Sequence, residues 1–192
     1  MSDMDFGISV GRGSEDRTVD RFAVADAAYL YATAIDTIGN SSATGASDGG
    51  VAEATALLSR CLTSDAELRL FLAGPSGPWQ PLGPGGPAGV AAAVRAYFTA
   101  YGYVGTQHSV GNIRIAFTNT DAAIATSQIP CFHWLADERM LLAPVGYRDE
   151  LVRKDGVWRI AKRDIYAMRF WVAAGYAPDP LDPSLARGHL NL

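Results

Sequence analysis

An aspartate and an imidazole that meet in an apolar setting can abstract a proton from carbon, and the chain offers one aspartate suited to this chemistry. Asp36 extends an apolar helical row made of Phe22, Ala25, Tyr29 and Ala32. A buried carboxylate needs a partner, and an acidic group near the carboxyl end of a helix opposes the helix dipole. The pattern predicts either a specific role for Asp36 or simple solvation beside the glycine-rich loop that follows, with equal weight.

The sequence contains three histidines, each in a different setting. His108 opens a predicted strand and shares its face with Asn112 and Arg114, a polar line typical of a pocket lining or, more commonly, of a solvated sheet face. His133 lies among apolar neighbours in IPCFHWLAD, where a hydrogen-bonded core histidine is the commoner outcome. His189 is expected to be exposed. An imidazole with a pKa of about 6.5 is a competent base at neutral pH.

Several classes of function lack their signatures in this sequence. It has no HExxH, Walker, GxSxG or GxGxxG motif, which argues against the usual metal, phosphate-binding and serine hydrolase sites. A net charge of −4 and an isoelectric point near 5.3, without a basic cluster, argue against binding to nucleic acid. Cys61 and Cys131 have no metal-ligand spacing and are expected to be reduced packing residues.

The chain is expected to be one soluble, cytoplasmic domain. It has 192 residues, 48% of them hydrophobic, a polar and acidic N-terminus, and no apolar run of the length that a membrane span requires. The predicted domain spans residues 18–176, between a loose N-terminal tail at 1–17 and an irregular C-terminal tail at 177–192.

Helical patterns dominate the first half of the chain and alternating patterns the second. The predicted helices cover residues 18–38, 51–62 and 88–101. The predicted strands cover residues 66–72, 109–117, 122–135, 140–154 and 157–171. Loops rich in Gly, Ser or Pro cover residues 39–50 and 74–89, and the second loop is a candidate pocket rim. Helices grouped before antiparallel strands predict an α+β fold, with helices on one face of a curved sheet.

The segment GYRDELVRKDGVWRIAKRD at residues 146–164 predicts a β-hairpin. Asp155-Gly156 suits a two-residue type I′ turn, which needs positive φ at both central positions. A regular register pairs Arg153 with Trp158, Leu151 with Ile160 and Asp149 with Lys162 on one face. The same register puts Arg163 opposite Arg148 on the other face, so a β-bulge is needed to bring Arg163 to a pocket.

The chain resembles the SnoaL-like branch of the nuclear transport factor 2-like superfamily over roughly residues 21–170. The likeness rests on the order of a helix with Tyr31 and Asp36, a Pro/Gly loop, a further helix, TQHSVGNIRI and the closing hairpin. It implies a conical fold, in which N-terminal helices pack on a strongly curved, mostly antiparallel sheet that encloses an apolar pocket. It also implies a homo-oligomer, with a trimer favoured over a dimer.

The same resemblance implies a His–Asp dyad and three further catalytic residues. The dyad falls on His108 and Asp36, and the further residues are Tyr31, His133 and Arg163. Helix geometry leaves a rival for the phenol, because Tyr31 lies about 140° around an ideal helix from Asp36, whereas Tyr29 shares the face of Asp36. The resemblance favours Tyr31 and the helix geometry favours Tyr29.

The function expected from this set is that of a cofactor-independent lyase, a dehydratase or dehydrohalogenase, acting on a small hydrophobic and cyclic molecule. The imidazole would take a C–H proton, the carboxylate would fix its tautomer, and neither a metal nor an organic cofactor is required. An isomerase, a polyketide cyclase, a non-catalytic subunit like the small subunit of ring-hydroxylating dioxygenases, and a ligand-binding module remain as alternatives on the same fold. The candidate substrate-binding residues are Tyr29, Tyr97, Tyr101, Phe132 and Trp134, each of which also suits core packing.

Overall fold

The computed structural model describes residues 17–41, 48, 50–71, 77–167 and 171–173. Its helices are α1 (Thr18–Gly39), α2 (Val51–Cys61) and α3 (Gly86–Tyr101). Its strands are β1 (Leu62–Phe71), β2 (Trp79–Pro81), β3 (Tyr103–His108), β4 (Gly111–Asn119), β5 (Ala122–Leu135), β6 (Met140–Lys154), β7 (Val157–Ala167) and β8 (Trp171–Ala173). The predicted C-terminal tail, the predicted N-terminal tail before Arg17 and most of the 39–50 loop lie outside the described residues.

One sheet contains all the described strands, in the order β2-β1-β7-β6-β5-β3, with β4 beside β5 and β8 beside β6. Strands β1 and β7 run parallel, and the other described pairs are antiparallel. Strands β3 and β4 follow one another along the edge of β5 that β6 leaves free, because β6 pairs with β5 over its whole length. The predicted α+β fold, with helices packed on a curved and mostly antiparallel sheet, is confirmed.

Helix α1 is held at both ends, which fixes where its side chains meet the sheet. It forms because Ala and other good helix formers fill Thr18–Gly39 without an interior Gly or Pro. Near its start, Asp20 accepts hydrogen bonds from the indole of Trp158 at 2.9 Å and from Arg153 at 3.2 Å. Its inner face buries Val24, Tyr31, Ile35 and Ile38 in a core shared with the sheet. No described helix is long and apolar enough to cross a membrane.

The hairpin of β6 and β7 turns where the sequence predicts. Asp155 and Gly156 have φ values of 54° and 76°, as a type I′ turn requires. The predicted pairs of Arg153 with Trp158 and of Leu151 with Ile160 are present.

Beyond those pairs the predicted register of the hairpin is wrong by one residue. Glu150 pairs with Lys162, which leaves Ala161 as a β-bulge in β7. Asp149 therefore faces Arg163 instead of Lys162, and Arg163 no longer lies opposite Arg148. Because strand side chains alternate, the extra residue moves Arg163 to the face of the sheet that carries Asp149 and Leu151.

Other differences from the predicted elements concern strand ends. The predicted strand at 109–117 corresponds to β4, which spans Gly111–Asn119, and His108 ends the unpredicted strand β3 instead of opening β4. Gly111 and Asn112, whose φ is 51°, follow the break between them. The predicted loop at 74–89 contains β2 and the first residues of α3, and the closing strand ends at Ala167 before the separate strand β8.

Candidate active site

The carboxyl end of α1 and the end of β3 bring Asp36 and His108 together. The Nδ1 atom of His108 lies 2.6 Å from Oδ1 of Asp36, and the backbone N–H of His108 donates to Oδ2 at 2.9 Å. A carboxylate only accepts hydrogen bonds, so this contact places a proton on Nδ1 and leaves Nε2 of the neutral ring as the basic nitrogen. The imidazole is 7% exposed and the carboxylate 21% exposed, so the pair is largely sheltered from water.

A third donor completes the environment of the carboxylate. The hydroxyl of Thr106, which is buried, donates to Oδ1 of Asp36 at 2.9 Å. Both oxygens of Asp36 therefore accept hydrogen bonds, and Oδ1 accepts two of them. Such a carboxylate has a fixed orientation relative to the imidazole.

His108 opens onto a cavity between the helices and the sheet, with a volume of about 100 Å³. Its aliphatic lining includes Ile35, Leu70, Leu82, Val94, Val145 and Ile165. Its aromatic and polar lining consists of Tyr31, Tyr97, Phe98, Tyr103, His108, Cys131, His133 and Tyr147. No Lys, Arg, Asp or Glu belongs to the described lining, so the chamber suits an uncharged ligand.

His133 is the second imidazole of the cavity, and it lies beside the first. The ring centroids of His133 and His108 are 5.6 Å apart, and Tyr103 stacks on His133 at 4.4 Å. Burial, followed by the neighbouring His108, lowers the pKa of His133 to about 3, against a smaller opposing effect of Asp36. Its Nδ1 is buried and has no hydrogen-bond partner in the part of the chain that the structure describes. A neutral imidazole with one unused and buried nitrogen therefore lies beside His108 in the lining of the cavity.

Two buried tyrosines, Tyr31 and Tyr147, form another side of the cavity. Their rings meet edge to face with centroids 5.9 Å apart. Burial raises the pKa of both phenols, and the positive charge of Arg163 acts in the opposite direction. Both groups stay protonated at neutral pH and can act only as neutral hydrogen-bond partners.

Arg163 lies behind these tyrosines and does not line the cavity. It is fully buried, and its Nε and Nη2 atoms each donate to Asp149 at 2.7 Å. Its guanidinium carbon lies 4.1 Å from the ring centroid of Tyr31 and 4.1 Å from that of Tyr147. Burial acts to lower the pKa of Arg163, but the charge and hydrogen bonds of Asp149, together with Tyr147 and Tyr31, outweigh that effect and raise it. The bulge at Ala161 brings Arg163 to the inner face without bringing it into the chamber.

The predicted substrate-binding residues separate into one that lines the cavity and four that do not. Tyr97 lines it. Phe132 and Trp134 alternate with His133 on β5 and so face the other side of the sheet. Tyr29 is 49% exposed on the outer side of α1, and Tyr101 is 56% exposed in the last turn of α3. These four residues do not line the described cavity, and a role for them in substrate binding stays a prediction.

The exposure of Tyr29 also bears on the choice of the phenol. Tyr31 is 2% exposed and lines the cavity, whereas Tyr29 faces away from it. The angle of about 140° around the helix does not keep Tyr31 and Asp36 out of the same site. Asp36 lies near the end of the helix and contacts β3, whereas Tyr31 lines the cavity.

Sequence patterns missed Thr106, Tyr103 and Tyr147. The first two lie on β3, which follows α3 directly and was not predicted. Tyr147 could have been found, since it shares strand parity with Asp149 and Leu151 on the predicted inner face of the hairpin.

No group of three His, Cys, Asp or Glu side chains able to hold a metal ion occurs among the residues that the structure describes. The polar atoms of the site belong to two imidazoles, the tyrosine phenols, the Asp36 carboxylate, the Thr106 hydroxyl and the Cys131 thiol. As a chemical set they can accept a proton on Nε2 of His108, stabilise the resulting cation with Asp36, and hydrogen-bond a polar group of an apolar molecule.

Solved structures of other proteins are similar to this chain over most of its length. A hexachlorocyclohexane dehydrochlorinase, LinA type 3 from Novosphingobium barchaimii, is similar with a TM-score of 0.62 and 22% identity over 84% of this chain and 94% of that chain. The Kfla4162 protein from Kribbella flavida gives a TM-score of 0.62 and 21% identity over 81% and 95%. A proposed scytalone dehydratase from Novosphingobium aromaticivorans gives 0.59 and 18% over 86% and 95%. At these identities the likeness shows the fold alone.

No curated protein matches the sequence significantly. The family model of the SnoaL-like domain matches residues 16–164, which cover most of the chain and include Asp36, Thr106, His108 and His133. The chain therefore belongs to the SnoaL-like domain family.

Proposed function

We propose that this protein is a lyase that eliminates water or halide from a small, uncharged and largely apolar cyclic molecule. The observation that carries the proposal is the contact of 2.6 Å between Nδ1 of His108 and Asp36 at the lining of an apolar cavity. The contact leaves Nε2 of His108 as a base in a sheltered chamber, where proton abstraction from carbon is favoured by the fixed carboxylate.

The proposed reaction begins with His108. Its Nε2 takes a proton from a C–H group next to the carbon that bears the leaving group, and the electron pair of the C–H bond forms the new double bond. The leaving group departs with the pair of its own bond, as hydroxide or halide. Asp36 stabilises the imidazolium during this step. The imidazolium then gives its proton to a departing hydroxide to form water or, after a halide has left, to solvent.

His133 and Tyr31 are proposed to hold the substrate. The imidazole of His133 is neutral and lines the cavity, so it can hydrogen-bond a carbonyl oxygen or hydroxyl of the substrate. A neutral imidazole that polarises a carbonyl would stabilise the charge that develops when the neighbouring C–H proton leaves. Tyr31 offers a phenol on another side of the chamber.

Arg163 is proposed to act through the tyrosines instead of touching the leaving group. Its two hydrogen bonds to Asp149 and its place against the rings of Tyr31 and Tyr147 keep it out of the cavity. It holds the two rings in position, and its positive charge acts to lower the pKa of both phenols.

Two similar proteins support elimination as the reaction class, since one is named a hexachlorocyclohexane dehydrochlorinase and the other a proposed scytalone dehydratase. The wider family hosts other chemistries, so this support comes second to the geometry. The homo-oligomer, trimer or dimer, stays a prediction that light scattering would test.

The test is a screen for elimination followed by substitution of the pair. Single-ring β-hydroxy ketones and halogenated cyclohexanes are incubated with the protein, and the alkene product is measured by chromatography. Asp36→Asn and His108→Ala are each expected to lower kcat/KM by roughly 10³-fold or more, because the base or its orientation is lost. Asp26→Asn, on the exposed side of the same helix, is the matched control and is expected to keep full activity.

Turnover retained in both variants would contradict the proposal. It would favour an isomerase or cyclase that uses another base, for which the product is an isomer of the substrate instead of an alkene plus water or halide. Folded variants and wild type that are all inactive on every compound, with no ligand bound, would favour a non-catalytic role.

A further inference from the structure

Among the strands that the structure describes, β3 has a sheet partner on one edge only, and the end of α1 lies along its other edge. Strand β5 pairs with one edge of β3. On the other edge, the backbone N–H of Thr106 donates to Oδ1 of Asn40 at 3.0 Å, and the backbone N–H of His108 donates to Asp36 at 2.9 Å. Side chains of the last helical turn and its cap therefore satisfy the strand amides that flank Gln107.

Asn40 makes two hydrogen bonds to the backbone of Thr106. Besides accepting from the Thr106 amide, its Nδ2 donates to the carbonyl oxygen of Thr106 at 2.9 Å. The preceding residue, Gly39, lies so close to the Thr106 side chain that a Cβ atom there would meet its methyl carbon at 2.6 Å and its Cβ at 2.8 Å. The close approach of helix and strand thus depends on a residue without a side chain.

The Thr106 hydroxyl is the part of this contact that reaches the candidate site. It donates at 2.9 Å to Oδ1 of Asp36, the same oxygen that contacts Nδ1 of His108. Thr106 is 3% exposed and does not line the cavity, so it has no route to a ligand. We infer that Thr106 is a positioning residue that sets the orientation and the hydrogen-bond strength of Asp36 towards His108.

This inference rests on the proposed function for its catalytic meaning, but its geometry has consequences that need no substrate. A hydroxyl that donates to Oδ1 shares the negative charge of that oxygen and weakens its attraction for the imidazolium. Without the hydroxyl, Asp36 would stabilise the protonated ring of His108 more strongly, and it would also lose one of the bonds that fix its plane.

The experiment compares Thr106→Val with Thr106→Ser. Valine keeps the branched shape and removes the hydroxyl, whereas serine keeps the hydroxyl and removes a methyl group. Thr106→Val is expected to lower kcat/KM roughly tenfold. It is also expected to move the acidic limb of the pH profile of kcat/KM to higher pH by about 0.5. Thr106→Ser is expected to restore most of the rate and the wild-type pH profile. Thr99→Val, on an exposed position of α3, is the matched control.

A second readout is independent of turnover. The sequence has only three histidines, so the His108 ring can be assigned by NMR and titrated in each variant. The His108 midpoint is expected to rise by about 0.5 in Thr106→Val and to stay at the wild-type value in Thr106→Ser and Thr99→Val. Should Thr106→Val fail to fold, Thr106→Ala replaces it with the same expectations.

An unchanged His108 midpoint and an unchanged rate in folded Thr106→Val would overturn the inference. Equal losses in Thr106→Val and Thr106→Ser would also overturn it, because the hydroxyl would then not be the cause. If the wild-type protein eliminates nothing, the proposed function fails on its own, and the NMR midpoint still decides whether Thr106 sets the Asp36–His108 contact.

Discussion

Two aspartates in this molecule each hold a nitrogen base, and the two pairs are built differently. Asp149 and Arg163 are 2% and 0% exposed and make two bonds of 2.7 Å to one another behind the cavity. Asp36 and His108 are 21% and 7% exposed and meet at 2.6 Å at the cavity lining. The first pair contains a guanidinium, which only donates hydrogen bonds, whereas the second contains an imidazole, whose second ring nitrogen can accept a proton.

The difference is between a pair that supports the wall of the cavity and a pair that can react with a ligand inside it. The Arg163 pair is closed by two tyrosine rings and excluded from ligand, so its contribution is to the shape of the chamber. The His108 pair uses one ring nitrogen for the carboxylate and leaves the other for a ligand. A reactive pair needs an unused atom and access to a cavity, and in the described part of the chain the Asp36–His108 pair meets both conditions.

The largest expected effect separates the two pairs by stability. Asp149→Asn leaves the buried Arg163 charge without its partner and is expected to lower the free energy of unfolding by about 3–5 kcal/mol. Asp36→Asn lies at a partly exposed site and keeps the His108 backbone amide and the Thr106 hydroxyl as neighbours. It is expected to lower the free energy of unfolding by about 1 kcal/mol or less while it abolishes elimination. Urea unfolding followed by circular dichroism measures both values.

A double substitution sharpens this contrast. Arg163→Met combined with Asp149→Leu removes both charges at once and is expected to recover most of the stability lost in Asp149→Asn. Equal stability losses in Asp149→Asn and Asp36→Asn would contradict a greater structural role for the buried Asp149–Arg163 pair.

An intermediate effect is expected at Gly39. Gly39→Ala places a methyl group against Thr106 and is expected to cost about 1–3 kcal/mol, because β3 must move away from α1. The movement lengthens the Asp36–His108 contact but not the Asp149–Arg163 pair, so activity should fall by roughly ten- to a hundredfold. Urea unfolding and kcat/KM measure the two effects. Gly156→Ala, at the remote hairpin turn, is the control: it strains a positive φ and should reduce stability alone. Unchanged activity in folded Gly39→Ala would contradict the need for close approach.

The smallest expected effect concerns the neutral imidazole of the cavity. The pKa of His133 is about 3 in the folded protein, below the ordinary value of about 6.5 in the unfolded chain. The unfolded chain binds more protons between these values, so stability falls as the pH drops below about 6.5. Between pH 7 and 5.5 the loss due to His133 is about 1 kcal/mol. His133→Gln should remove this part of the pH dependence in urea unfolding, and a slope identical to wild type would refute the neutral state of the ring.

Much of the fold could be predicted because local patterns carry it. The Ala-rich run of α1, the Asp155-Gly156 turn and the alternating stretches of β5 and β6 all formed as predicted, since each depends on neighbours a few residues away. Less of the candidate site could be predicted from the sequence. Strand β3 is short and follows α3 directly, so its pattern did not stand apart, and the polar groups Thr106 and Tyr103 were missed with it.

The identity of the reactive residues is therefore a property of the sequence, whereas their surroundings are a property of the tertiary structure. The sequence by itself places an aspartate at the end of an apolar helix and a histidine by a later strand. Packing alone decided that Ala161 bulges, that Arg163 lies behind Tyr31 and Tyr147, and that Phe132 and Trp134 face away from the chamber. The physical reason is that strand side chains alternate, so one extra residue in the pairing exchanges the two faces, and such a residue is selected by distant contacts that no local pattern contains.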